Sequence, residues 1–214
     1  MIITRVVKEK KRKERFIVMT DDGSSYPVTS EILLKYALAP GKNLDADYLT
    51  EILLENENKM AMEASLLLLS YSQRSRKELA ERLKLKGYSP KASAYALNRL
   101  EELKYLNDAA LAKNILTLRR LQGKGGELIK YEMLRKGIPR DIISETLADN
   151  KLTSEEEAAR ALVLAKKKFR AARKLTPEKA AARVMGFLAR RGFSPDITLK
   201  VMALLKKDKP ENPF

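Results

Sequence analysis

The sequence predicts a mainly α protein: an elongated array of three tandem three-helix repeats, preceded by a small N-terminal β-hairpin and linking helices. Three observations carry that expectation. LKGYSP (residues 85–90), RKGIPR (135–140) and RRGFSP (190–195) set glycines at 87, 137 and 192, and a recurrence at about fifty residues marks a repeated structural unit. A proline follows each glycine by two or three positions, and apolar residues recur at helical spacing on both sides. Residues 1–57 lack this pattern and carry β-branched runs broken by turn signals instead.

In the first unit, Ser75 and Glu78 form S-x-x-E, a capping box that opens a helix over about 76–86. Leu79 and Leu83, four apart, share its buried face. Gly87 stops the helix, because a left-handed residue after a helix end is least strained without a Cβ. Ser89 and Pro90 restart the chain as N-cap and first helical residue. The second unit repeats this with a helix over 126–136, the stop at Gly137 and a restart at Pro139. The third has a helix over 177–191, the stop at Gly192, and Ser194 with Pro195. Apolar residues recur one (Tyr88, Ile138, Phe193), five (Ala92, Ile142, Ile197) and ten (Leu97, Leu147, Met202) positions after the glycines. Each unit also has a leading helix, over 59–71, 108–122 and 155–174, and the last of these has Ser154 and Glu157 in capping-box spacing. The expected division is 1–57, 58–106, 107–152 and 153–214.

Within 1–57, residues 2–7, 16–19 and 26–29 read as the strands of an antiparallel hairpin or three-stranded sheet. A charged stretch, 8–15, and the turn residues Asp21, Asp22 and Gly23 connect them. Short helices near 31–37 and 46–57, separated by Pro40-Gly41, lead to the repeats.

The net charge is +15, with no histidine and no cysteine. Residues 1–57 carry 9 basic against 10 acidic groups; the three following segments carry 10 against 5, 9 against 6 and 15 against 7. The positive excess therefore rests on the repeats and favours a polyanionic partner. Absence of cysteine excludes disulfides and thiolate metal sites. The basic run 8–13 follows the apolar N-terminus instead of preceding it, the wrong order for a secretory signal. The longest apolar run, 64–69, is far short of a membrane span. The expectation is a cytoplasmic monomer with no membrane partner.

Without histidine or cysteine the chain lacks the usual neutral-pH proton shuttle and the strongest nucleophile. Glu101-Glu102 and residues 155–157 are adjacent carboxylates that diverge on a helix and form no acid/base pair. Residues 123–126 (GKGG) lack the G-x-x-x-x-G-K-[ST] frame and a preceding strand, so a flexible interhelical loop is favoured over a phosphate cradle. No catalytic, cofactor or metal residue is assigned. Binding residues are assigned from charge placement alone: Arg74, Arg76 and Lys77 at one helix start; Arg119 and Arg120 at a helix end; Lys166, Lys167, Lys168, Arg170 and Arg173 towards the end of another; and Arg190 and Arg191 beside the third glycine. Stacked repeats would line such groups along one side of the array. Aromatics are sparse, at 6% with no tryptophan, and Tyr88, Tyr95, Phe187 and Phe193 read as core or interface residues, so base stacking is not expected.

RSRKELAERLKLKGY (74–88), LNRLEELKYLNDAALAKNILTLRR (97–120), GGELIKYEMLRKGIPRDIISETL (125–147) and VTSEILLKYALAPGKNLDADYLTEIL (28–53) together resemble the RecX family of bacterial regulators of the RecA recombinase. The family often has two acidic residues where this chain has Asn107-Asp108, and a tyrosine where it has Leu111. The resemblance implies an array of three-helix repeats. It also implies a non-enzymatic modulator that binds the RecA filament on DNA and limits its growth, strand exchange, ATP hydrolysis and coprotease activity. The alternative is a sequence-independent DNA-binding or architectural protein that contacts the phosphates of single- or double-stranded DNA.

Overall fold

The computed structural model describes residues 1–9 and 14–207. Part of the expected charged connection, 10–13, lies outside the described residues. Three strands, β1 (Ile3–Lys8), β2 (Arg15–Thr20) and β3 (Ser25–Thr29), form an antiparallel sheet in the order β1-β2-β3. Of the two forms expected, the three-stranded sheet is the one present. Val6 faces Val18, and Val18 faces Tyr26. Asp22 accepts from Thr20 Oγ1 at 2.6 Å and from Ser24 N at 3.1 Å, holding the β2–β3 turn as short acidic side chains do.

Helix α1 (Ser30–Lys35) follows, and then α2 (Ala46–Tyr71), which runs through residues 57 and 58 without a break. The two helices expected over 46–57 and 59–71 are therefore one. Asn56 shows why the polar stretch in its middle does not end it. Its Oδ1 accepts from Thr29 N at 2.9 Å, and its Nδ2 donates to Pro27 O at 2.9 Å. The amide binds the sheet edge instead of competing for its own helix backbone. Ile3, Val18, Val28, Ile32, Leu44 and Ile52 bury the sheet against α1 and α2.

The remaining helices are α3 (Arg76–Leu85), α4 (Pro90–Glu102), α5 (Asp108–Leu121), α6 (Gly126–Arg135), α7 (Arg140–Asp149), α8 (Ser154–Ala171), α9 (Pro177–Arg190) and α10 (Pro195–Lys207). The chain divides into two compact units, 1–106 and 107–214. In the first, Ala61 of α2 packs with Leu79, Leu83, Ala96 and Leu100 of α3 and α4. In the second, α5 to α7 share one buried cluster around Leu116, Ile129 and Met133, and α8 to α10 share another around Ala161, Leu188 and Val201.

The glycine stops have one geometry. Gly87, Gly137 and Gly192 have φ of 85°, 75° and 83°. The following residue donates its N–H five residues back, Tyr88 to Leu83 O, Ile138 to Met133 O and Phe193 to Leu188 O, at 3.2 Å each. This is the paired closure that satisfies the last carbonyls of a helix, and the acceptors Leu83, Met133 and Leu188 are core residues. Ser89 caps α4 as expected, accepting from Ala92 N at 3.2 Å. In addition, its N and Oγ both donate to Glu57 of α2, at 2.7 Å each.

Two starts are displaced by one residue. Pro139, expected as the first residue of α7, is its N-cap with ψ 144°, because it lies one position nearer its glycine than Pro90 and Pro195 do. The capping box of α8 is Thr153 with Glu156, not Ser154 with Glu157. The run TSEEE offers both registers, and the one chosen leaves Ser154 and Glu155 to accept from Lys200 of α10, at 3.2 and 2.5 Å.

Candidate functional site

The assigned cations fall into groups with different surroundings. At the start of α3, Arg74 Nε donates to Leu68 O at 3.3 Å, Arg76 pairs with Glu101 at 2.5 Å and with Asn98 at 2.8 Å, and Lys77 is exposed. Cations at a helix N-terminus oppose the macrodipole. The Ser75–Glu78 capping box and Glu101 offset that here.

Arg119, Arg120 and Arg191 converge on the α5–α6 loop and are occupied within the protein. Arg191 donates to Gln122 O at 2.7 Å and Gly123 O at 3.3 Å, with its guanidinium 5.1 Å from the Phe187 ring centroid. Arg120 donates to Asn150 O at 2.6 Å. Arg160 of α8, which the sequence did not single out, donates to Arg120 O at 2.6 Å and Lys124 O at 3.4 Å. The carbonyls that Arg191 and Arg160 reach lie at or just beyond the end of α5, and the one that Arg120 reaches lies at the end of α7; at helix ends unsatisfied acceptors and the negative end of the helix dipole attract cations. Burial, with Arg120 nearby, lowers the Arg160 pKa against an opposing pull from Glu157.

The glycines of this loop are clamped. Gly125 N donates to Arg191 O at 2.8 Å, Glu127 N to Gly192 O at 3.1 Å and Gly126 N to Glu157 Oε1 at 3.4 Å. The N–H groups that a phosphate would need are thus taken. The flexible loop expected over 123–126 is instead the joint between the second and third repeats.

Glu132 anchors the same region, accepting from Arg119 at 2.6 Å and from Lys124. Burial pushes its pKa up, but the hydrogen bonds from Lys124 and Arg119 outweigh it and hold the carboxyl below its ordinary value. A lowered carboxylate contributes stability in full above the unfolded pKa, about 4.3, and loses it as pH falls through the folded value. Glu132→Gln is therefore expected to melt below the parent at pH 7, with the gap shrinking progressively below about pH 4.3. Thermal melts of both proteins across that range check this; a gap that stays constant would show that the ion pairs do not stabilise the fold.

The cations of α8 and the turn after it differ again. Lys168 lies 5.3 Å from the Phe187 ring centroid and Lys166 is half-buried. Lys167, Arg170 and Arg173 are exposed, and among the described residues their side chains make no ion pair or hydrogen bond; the same holds for Arg190 at the end of α9. Lys167 and Arg170, three apart, share a helix face. Among the four aromatics, Phe193 is buried and Tyr88 and Phe187 pack on the cores, but Tyr95 is 50% exposed on α4 and belongs to the surface. Asn107 and Leu111, where the chain departs from the family pattern, have structural places: Asn107 caps α5 by accepting from Ala110 N at 2.9 Å, and Leu111 is core. Among the described residues no helix is long and apolar enough to cross a membrane.

Known proteins match this architecture along the whole chain. Residues 61–100, 107–147 and 155–202 match the family models described as the first, second and third three-helix domains of RecX. A protein of Bacillus subtilis named regulatory protein RecX is 33% identical over 211 residues, covering 98% of this chain and 79% of that protein. A namesake from Clostridium botulinum is 28% identical and covers 94% of each chain. The crystal structure of a regulatory protein RecX superposes with a TM-score of 0.68 at 25% identity, covering 94% of this chain and 98% of the other. The three repeats, their glycine stops and these matches agree: the chain belongs to the RecX family.

Proposed function

We propose that this protein is a non-enzymatic regulator that binds the RecA filament on DNA and restrains its ATP hydrolysis, recombinase and coprotease activities. The observation that supports it best is the set of exposed, unpaired cations on and beyond α8, Lys167, Arg170 and Arg173, in a chain whose relatives are named regulatory proteins. A filament repeats the same surface from subunit to subunit, and several weak contacts on linked modules bind it by effective concentration without new chemistry. The other assigned cations divide between contact and scaffold: Lys77 and Arg190 are free to meet a partner, while Arg119, Arg120 and Arg191 hold the repeats that present it.

The test is a titration of RecA-catalysed ATP hydrolysis on single-stranded DNA. Suppression is expected well below one chain per RecA, and Lys167→Glu/Arg170→Glu/Arg173→Glu is expected to weaken it about tenfold or more, since charge reversals at a complementary surface cost several kcal/mol. A salt series distinguishes the DNA-binding alternative. Affinity for bare single strands falls with a log–log slope of about −0.7 per phosphate neutralised, whereas filament binding should persist where bare-DNA binding is lost. Suppression that only tracks DNA occupancy would refute the proposal, and a triple variant as potent as the parent would remove Lys167, Arg170 and Arg173 from the contact surface.

A further inference from the structure

The first two repeats each carry a groove between their second and third helices. That of repeat 1, about 440 Å³ between α3 and α4, is lined by Ala80, Tyr88 and Leu97 and edged by Lys84. That of repeat 2, about 350 Å³ between α6 and α7, is lined by Leu134 and Ile143 and edged by Lys130 and Arg140. Counted from the glycine stop, the residues lining the second groove stand at −7, −3, +3, +6 and +7, and all five positions also line the first. The groove thus recurs at equivalent positions of the first two repeats.

Both copies combine apolar and basic lining, although the basic edge residues stand at different positions, −3 in repeat 1 and −7 and +3 in repeat 2. The floor is apolar, the edges are basic, and no carboxylate lines either groove. Lys84, Lys130 and Arg140 are exposed and make no ion pair among the described residues. At +6 in repeat 1, Ser93 is 9% exposed, lines the groove, and its Oγ has no hydrogen-bond partner. A buried hydroxyl left unpaired is costly unless something completes it. The same position in repeat 3 is Thr198, 5% exposed, and its Oγ1 is again unpartnered.

From this we infer that the α3–α4 and α6–α7 grooves each seat a short acidic protein segment that carries an apolar residue and is displayed once per subunit of a polymeric partner. An apolar side chain enters the floor, flanking carboxylates meet the basic edges, and in repeat 1 a polar group of the segment completes Ser93. Phosphodiester backbones fit the edges but leave the apolar floor unmatched. Two copies of one groove in one chain suit a partner that offers the same segment repeatedly, as linked weak sites gain most on a repeating target. The inference rests on the filament-binding reading above and adds a second contact surface to the exposed cations on and beyond α8.

The +7 positions, Ala94 and Ser144, line the two grooves, are exposed, and lie within α4 and α7. Ala94→Glu/Ser144→Glu and Ala94→Lys/Ser144→Lys place side chains of similar size and opposite charge there, both compatible with a helix. Binding of each full-length variant to preassembled RecA filaments on single-stranded DNA, and to the bare strand, is measured by anisotropy, with a thermal melt as the check on folding. The Glu pair is expected to lose about tenfold or more in filament affinity while the Lys pair stays within about threefold of the parent. Equal losses for both pairs would mean a groove that admits no acidic segment, and no loss in either would mean the grooves are not contacts. Loss by the Glu pair of bare-strand binding as large as its loss of filament binding would make phosphate the occupant. Each of these overturns the inference while leaving filament binding intact. A parent that fails to bind the filament overturns the functional reading and the inference together.

Discussion

Gly192→Ala is expected to destabilise the second unit by about 3 kcal/mol or more, whereas Gly87→Ala, at the same place in its repeat, should cost about 1. The two glycines have nearly the same backbone, φ +83° and +85°, so the left-handed strain of a Cβ is common to both. Their surroundings separate them. A Cβ on Gly87 would meet nothing within 4 Å, but one on Gly192 would lie 2.3 Å from Leu128 Cβ and 2.4 Å from Leu128 N. Backbone at the start of α6 cannot give way as a flexible side chain can, and moving it breaks the bond from Glu127 N to Gly192 O. Gly125→Ala isolates the second effect, because Gly125 has φ −85°, which alanine adopts freely, yet its Cβ would fall 2.3 Å from Gly192 O. Urea denaturation of the three variants should therefore rank Gly87→Ala mildest and Gly192→Ala worst, with Gly125→Ala between or near the latter. Equal midpoints for Gly87→Ala and Gly192→Ala would mean that the close glycine contact between the second and third repeats does not exist in solution.

That ranking shows where the sequence stops being legible. The helix stops at 87, 137 and 192, the capping box at Ser75 and the restart at Ser89-Pro90 are local: each needs only a few neighbouring residues, and each is found where the sequence places it. The equal roles of the three glycines in their own helices hide their unequal roles between helices, because a contact with Leu128, 64 positions away, leaves no local mark. Ambiguity also arises where two local signals overlap. TSEEE contains two capping boxes, and choosing between them depends on Lys200 and Gly126, which lie far along the chain. The division of one helix into two at 57/58 has a similar origin, since the bonds of Asn56 that tie the middle of α2 to β3 join residues 27 and 29 positions apart. Charge was the least legible feature. Residues 119, 120 and 191 look like surface cations in sequence, but Arg119 pairs with Glu132, Arg120 donates to Asn150 O at the end of α7 and Arg191 to the carbonyls at the end of α5, where Arg160 joins it from the apolar stretch around Ala158 and Ala161.

The adjacent pair Arg190 and Arg191 turns that distinction into a measurement. Arg190 is exposed, and its replacement by glutamate should change stability by no more than about 0.5 kcal/mol, as for most surface positions. Arg191→Glu is a different substitution. It removes a charged donor from Gln122 O and Gly123 O, worth about 1.5–3 kcal/mol where such bonds are partly buried, and puts a carboxylate beside the negative end of α5, adding about 0.3–1 kcal/mol of repulsion. A total near 2–4 kcal/mol follows, lowering the melting temperature by several degrees. Arg191→Met keeps hydrocarbon over the Phe187 ring while losing the donors and should fall between the two. Filament binding then separates the roles of the neighbours: Arg190→Glu reports on surface charge in a protein that melts like the parent, whereas any loss in Arg191→Glu must be accompanied by a loosened joint. Should Arg191→Glu melt with the parent and still lose binding, its guanidinium faces the partner and not the carbonyls of α5, and the internal role assigned to it here is wrong.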